Sequence, residues 1–88
     1  MQVTDVKIFP FEAAAPGSKL VAFAEVTLDG SLTLRGIRIF RSAQGGLFLG
    51  YPSQKGRGGE YRDLIAFKDA GLKNHLRDAI IEAYKNLV

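Results

Sequence analysis

The chain has no cysteine, a single histidine, and no apolar run approaching the roughly 18 to 20 residues that span a bilayer. Without cysteine there is no disulfide framework, no thiol nucleophile and no zinc finger. One histidine and scattered carboxylates do not assemble a common zinc or iron site. Acid-base catalysis needs paired titratable groups with separated pKa values, and nucleophilic catalysis needs a nucleophile with a positioned base; the sequence offers neither. His75, beside Leu76 on a predicted helix with Asp78 three residues on, reads as a surface or boundary histidine. The chain is therefore expected not to be an enzyme, and to use no cofactor, metal or small-molecule substrate. Its N-terminus, MQVTDVKIF, lacks the basic-then-apolar layout of a signal peptide, so a cytoplasmic protein without a membrane partner is expected.

What is present fits one small domain over residues 1–88. A chain this size hides about 60% of its unfolded surface on folding. Its 47% hydrophobic content, with six Phe and three Tyr, argues against disorder and suggests that a second subunit covers some apolar surface. The net charge of +3 is mild, but it is unevenly spread. Residues 1–34 carry Lys7 and Lys19 against Asp5, Glu12, Glu25 and Asp29, a balance of −2. Residues 35–62 carry Arg35, Arg38, Arg41, Lys55, Arg57 and Arg62 against Glu60 alone, a balance of +5, and the remainder is neutral. Clustered cations raise the local potential, so an anionic partner is drawn to the middle of the chain, unless these residues form only a solvated face.

Residues 2 to 9 alternate as a strand ending at Pro10, and the Glu12 to Ser18 stretch, broken by Pro16, reads as a loop. From Lys19 to Asp29, Leu20, Ala22, Ala24, Val26 and Leu28 share one face; Val21 and Phe23 on the other are too apolar for water. Asp29-Gly30 signals a hairpin. A three-residue loop, Leu28-Asp29-Gly30 with Gly30 left-handed, sets Val26 beside Leu32 and Ala24 beside Leu34. The apolar phase then slips from Leu34 to Ile37 across Gly36, the signature of a β-bulge. Such a bulge turns Arg35 and Arg38 away from the core, with Phe40 beside them. After a turn at Gln44-Gly45-Gly46, Leu47 to Tyr51 is apolar on both faces, as in a central or interface strand, and ends at Pro52. Ser53 to Gly59 reads as a mobile loop with three glycines and two cations, and Glu60 to Phe67 resumes as a strand. Leu72, Leu76, Ala79, Ile80, Ala83 and Leu87 recur at helical spacing behind an Asp69 cap. The order predicts an α+β fold: an antiparallel sheet of four to five strands, one C-terminal amphipathic helix, and a dimer by sheet pairing.

The candidate contacts for nucleic acid are Lys55, Arg57 and Arg62 around the glycine-rich loop and Lys73, Asn74 and Arg77 on the helix. Gly56-Arg57-Gly58-Gly59 is neither a Walker loop nor a dinucleotide fingerprint; it is similar to arginine-glycine segments that hold nucleic-acid backbone, and also to a plain flexible hairpin loop. Lys73 and Arg77, one turn apart with Asn74 adjoining, could meet phosphates or base edges, or Asp69 could pair with Lys73. So few cations would not hold DNA as a monomer; two copies would double the contacts and make affinity steeply salt-dependent.

Gly46-Leu47-Phe48-Leu49, then Pro52-Ser53-Gln54-Lys55, then Gly59-Glu60-Tyr61-Arg62-Asp63-Leu64 closely resemble the stage V sporulation protein G family of bacterial regulators. Val3-Thr4-Asp5-Val6, Val26-Thr27-Leu28-Asp29, Ile37-Arg38-Ile39 and Glu82-Ala83-Tyr84 with Leu87 extend the resemblance over nearly the whole chain. It implies a small α+β protein dimerising through its sheet, associated with septation, cell division and sporulation, and in several members with site-specific DNA or RNA binding. The family's His-Pro step and Ser/Thr-rich run before the helix are replaced here by Ala66-Phe67 and Asp69-Ala70-Gly71-Leu72, so target specificity does not carry over. The first loop, Ala13 to Ser18, is also longer than the family's usual turn. The leading expectation is a homodimeric regulator that binds DNA or RNA. The alternative is a dimeric protein-interaction module in cell division that makes no nucleic-acid contact.

Overall fold

The computed structural model describes residues 1–10 and 19–87, so the loop expected at Glu12 to Ser18 lies outside the described residues. Four antiparallel strands, β1 (Val3–Pro10), β2 (Leu20–Leu28), β3 (Leu32–Arg41) and β4 (Leu47–Gly50), form a sheet in the order β1-β2-β3-β4. A separate two-stranded sheet pairs β5 (Ser53–Lys55) with β6 (Tyr61–Asp63), and the helix α1 (Ala70–Leu87) closes the chain. The α+β architecture expected from the sequence is the one observed.

The inner face of the main sheet carries the alternating apolar set of β2, namely Ala22, Ala24, Val26 and Leu28, with Ile37 and Ile39 of β3. The helix lays Leu76, Ile80 and Tyr84 on this face, and Val6, Ile8, Leu47 and Leu49 pack at its margins. Fully burying a Val, Leu or Ile side chain, as at Val26, Ile37, Ile39, Leu76 and Ile80, is worth about 1.5 to 3 kcal/mol. Tyr84 takes the place in the core that helical spacing gave to Leu87, which is 56% exposed near the chain end. Asp69 caps the helix as predicted: its Oδ1 accepts the Gly71 N–H at 2.8 Å.

The β2–β3 turn has the predicted length but begins one residue later. Asp29 and Gly30 both adopt positive φ, 52° and 62°, and the Ser31 N–H donates to Leu28 O at 2.9 Å. Asp tolerates the left-handed region, so Leu28 stays in the strand and pairs with Leu32, and Val26 pairs with Leu34 rather than Leu32. A shift of two residues leaves every side chain on its expected face. The bulge is where the apolar phase placed it: Val26 faces Leu34, Ala24 faces Ile37, and Gly36 has φ 79°.

Three expectations are corrected downstream. β4 is an edge strand, not a central one, in the described sheet. Ser53 to Lys55 is a strand rather than part of a loop, because the glycine-rich connection is only five residues, Gly56 to Glu60: Gly56 N–H donates to Glu60 O at 2.6 Å and Gly59 N–H to Gly56 O at 3.1 Å. The strand expected over Glu60 to Phe67 is confined to Tyr61–Asp63. One further bond, Leu64 N–H to Pro52 O at 2.9 Å, ends the pairing, and the chain then bends to bring Phe67 edge-on to Tyr51, with ring centroids 5.0 Å apart.

Candidate nucleic-acid interface

The β5–β6 hairpin is a short ribbon with Ser53 opposite Asp63, Gln54 opposite Arg62 and Lys55 opposite Tyr61. Its tip opens as a groove of about 460 Å³ lined by Gln54, Lys55, Gly56, Arg57, Glu60 and Arg62. The structure thus brings together three predicted cations, Lys55, Arg57 and Arg62, all exposed. The Glu60 carboxylate lies over Gly56 and Gly58, where a Cβ would collide with it. The one anion of the basic segment therefore lies within the groove, beside the glycines of its turn. Tyr61, 71% exposed and opposite Lys55, adds an aromatic that the cation count overlooked, although Gly-Glu-aromatic-Arg-Asp already marked the position.

The helix residues fall elsewhere. Lys73 lines a second cavity, of about 570 Å³, with Arg38, Gly50, Tyr51, Ser53 and Asp63 among its walls. Ser53 and Asp63 are the base of the hairpin, so the two cationic clusters lie at opposite ends of one ribbon, about 7 Å of strand apart. The Asp69 carboxylate serves the helix cap, and the ion pairs found among the described residues are Arg35–Glu25 and Arg77–Asp78. Arg77 is held by its neighbour: Nε and Nη2 both lie 3.2 Å from Asp78 Oδ1. A pair with side chains 50% and 69% exposed is worth little, and Arg77 can exchange it for a phosphate. Asn74 is exposed on the same helix and joins neither groove, and His75 is exposed as expected. Arg38 is the residue missed: its side chain points outward through the bulge, stands 5.6 Å over the Phe40 ring, and forms part of the Lys73 cavity.

Tyr51 joins the two layers. Burial pushes its hydroxyl up from the ordinary tyrosine pKa, against the opposing pull of the Arg77 charge. The hydroxyl is buried and, among the described residues, has no hydrogen-bond partner. Among the described residues, no three His, Cys, Asp or Glu side chains gather as a metal site, and no helix is long and apolar enough to cross a membrane.

Comparison with known proteins covers almost the whole chain. The SpoVG family profile matches residues 1–86. A Borrelia hermsii protein named "Putative septation protein SpoVG" is 37% identical over 84 residues, which are 96% of this chain and 86% of that one. Proteins of the same name from Desulforudis audaxviator and Agathobacter rectalis are 35% and 31% identical, covering 98% and 97% of this chain and 93% of each relative.

Proposed function

The chain belongs to the SpoVG family, and from that premise we propose that it is a non-enzymatic bacterial regulator of septation-type processes that acts as a homodimer on DNA or RNA. The observation that carries this reading is the cationic hairpin. Lys55, Arg57 and Arg62 converge on one groove, with Tyr61 beside them and Lys73 and Arg38 at the ribbon's base. Phosphate contacts of this kind supply affinity without sequence information, and each makes binding more salt-sensitive. Arg77 and Asn74, exposed on the helix outside both grooves, are further candidate contacts.

The dimer is supported by the two sheet edges. β1 carries Asp5, Lys7 and Pro10, the residues with which natural edges are blunted, whereas β4 reads Leu-Phe-Leu-Gly and, among the described residues, pairs with no strand on its outer side. Pairing β4 with the β4 of a second copy would continue the sheet and place two cationic hairpins on one particle. Light scattering at micromolar concentration then gives twice the 9.6 kDa chain mass; a monomer refutes the pairing.

The function is tested by binding to duplex DNA and to RNA at low salt, with Arg57→Ala and Arg77→Ala in parallel. Binding weakened by both substitutions supports the reading, and no binding at low salt overturns it. The exposed apolar side chains Phe9, Phe48 and Leu64 favour one competitor, a module that engages a division protein. Partners retained after nuclease treatment, together with no nucleic-acid affinity, would select that competitor.

A further inference from the structure

The helix covers one face of the main sheet; the opposite face carries an aromatic strip that neither the core nor the cationic hairpin explains. One cross-strand row runs Phe9, Phe23, Arg38, Gly50, and the next pairs Phe40 with Phe48. Phe9 and Phe48 are each 48% exposed and Phe23 is 37% exposed. The Phe40 and Phe48 rings stack at 5.2 Å with 16° between their planes, and the Arg38 guanidinium stands 5.6 Å from the Phe40 centroid. Gly50 makes room for this arrangement. A Cβ there would lie 2.9 Å from Phe40 Cε2 and 3.5 Å from Arg38 Nε and Nη2, so the ring edge and the guanidinium lie across the glycine. Arg38 also walls the cavity that holds Lys73, so the strip runs directly into a second cation.

We propose that this strip is a stacking platform for unpaired bases, and that the nucleic acid this protein takes is single-stranded. The inference rests on the nucleic-acid reading above and names the ligand class. Three observations select the occupant. Phe9 and Phe48, each 48% exposed, offer aromatic surface on which a splayed base can stack, whereas a duplex keeps its bases inside. The charge at the strip is positive, from Arg38 with Lys73 at its end, which complements phosphates between stacked bases. Glu25, the carboxylate of β2 on this side, is engaged by Arg35 at 3.3 Å, so it does not neutralise Arg38. Pairing through the β4 edge sets two platforms side by side.

The test uses the full chain and fluorescence anisotropy, with an oligothymidylate of about 12 nucleotides, within the site sizes of sheet-based binders, and a duplex of equal length. The single strand binds more tightly than the duplex. Phe48→Ala weakens single-strand binding by about five- to 150-fold, the range for loss of one stacked base, and leaves the duplex and the oligomeric state unchanged. Phe48→Tyr retains binding, and in Phe48→Trp the indole emission is quenched by oligothymidylate, a readout that does not depend on comparing the stability of variants. Arg57→Ala, by contrast, weakens both ligands. The inference is overturned if Phe48→Ala leaves single-strand affinity intact, if it weakens strand and duplex equally, if Phe48→Trp emission is indifferent to bound strand, or if Phe48→Ala dissociates the dimer. Failure of both ligands to bind at low salt is the separate result that removes the nucleic-acid reading itself.

Discussion

Replacing Tyr51 by Phe isolates one atom of the fold. The Tyr51 hydroxyl is buried without a partner among the described residues, while its ring makes an edge-to-face contact with Phe67, centroids 5.0 Å apart and planes at 64°. The substitution keeps the ring contact and deletes the orphaned oxygen. A buried polar group left unsatisfied costs about 1 to 3 kcal/mol, so Tyr51→Phe gains about 1 kcal/mol or more. For a domain of this size each kcal/mol moves Tm by about 4 to 8 °C. There is also a pH signature. The folded-state pKa of Tyr51 is raised above its unfolded value of 10.0, so its contribution is complete below pH 10 and is lost as pH climbs through the folded value. Tyr51→Phe therefore flattens part of the alkaline decline. Urea unfolding at neutral pH and through the alkaline range measures both effects. A loss of about 1 kcal/mol at neutral pH, the size of one net hydrogen bond, would show that the hydroxyl is satisfied and refute the reasoning.

Two further substitutions probe the scaffold. Ile80→Ala empties a fully buried position between helix and sheet and costs about 2 to 5 kcal/mol by urea denaturation; a loss below about 1 kcal/mol would mean that the helix is not docked there. Gly36→Ala meets only an ordinary contact, 3.5 Å from Pro52 Cγ, so its cost of about 1 to 2 kcal/mol comes from the φ of 79° alone; unchanged stability would show that the bulge can relax.

Much of this molecule is legible in its residues because period-two alternation is a direct consequence of the pleat. Ala22, Ala24, Val26 and Leu28 had one face available to them, and the slip from Leu34 to Ile37 needed Gly36 to absorb it. The turn was misplaced because Asp29 and Leu28 are both compatible with its first position, and only cross-strand bonding decides between them. Ser53 to Lys55 hid as a strand because polar, glycine-flanked residues carry no alternation when both faces meet water. The edge position of β4 was invisible for a related reason: a strand apolar on both faces reads the same whether its neighbour is in the same chain or another. Lys55, Arg57 and Arg62 could be grouped from sequence because they flank one short turn. That Lys73 shares a cavity with Arg38 could not, since 35 positions separate them and a bulge sets the direction of the arginine.

The central claim, that these cations meet phosphates, is tested most directly by the slope of log affinity against log salt concentration. Each phosphate contact contributes about 0.7 for single strands to 0.9 for duplexes, so removing Arg57 and Arg62 together should lower the magnitude of the slope by about 1.4 to 1.8 per protomer. An affinity indifferent to salt, or a slope that the double substitution leaves unchanged, would contradict the account.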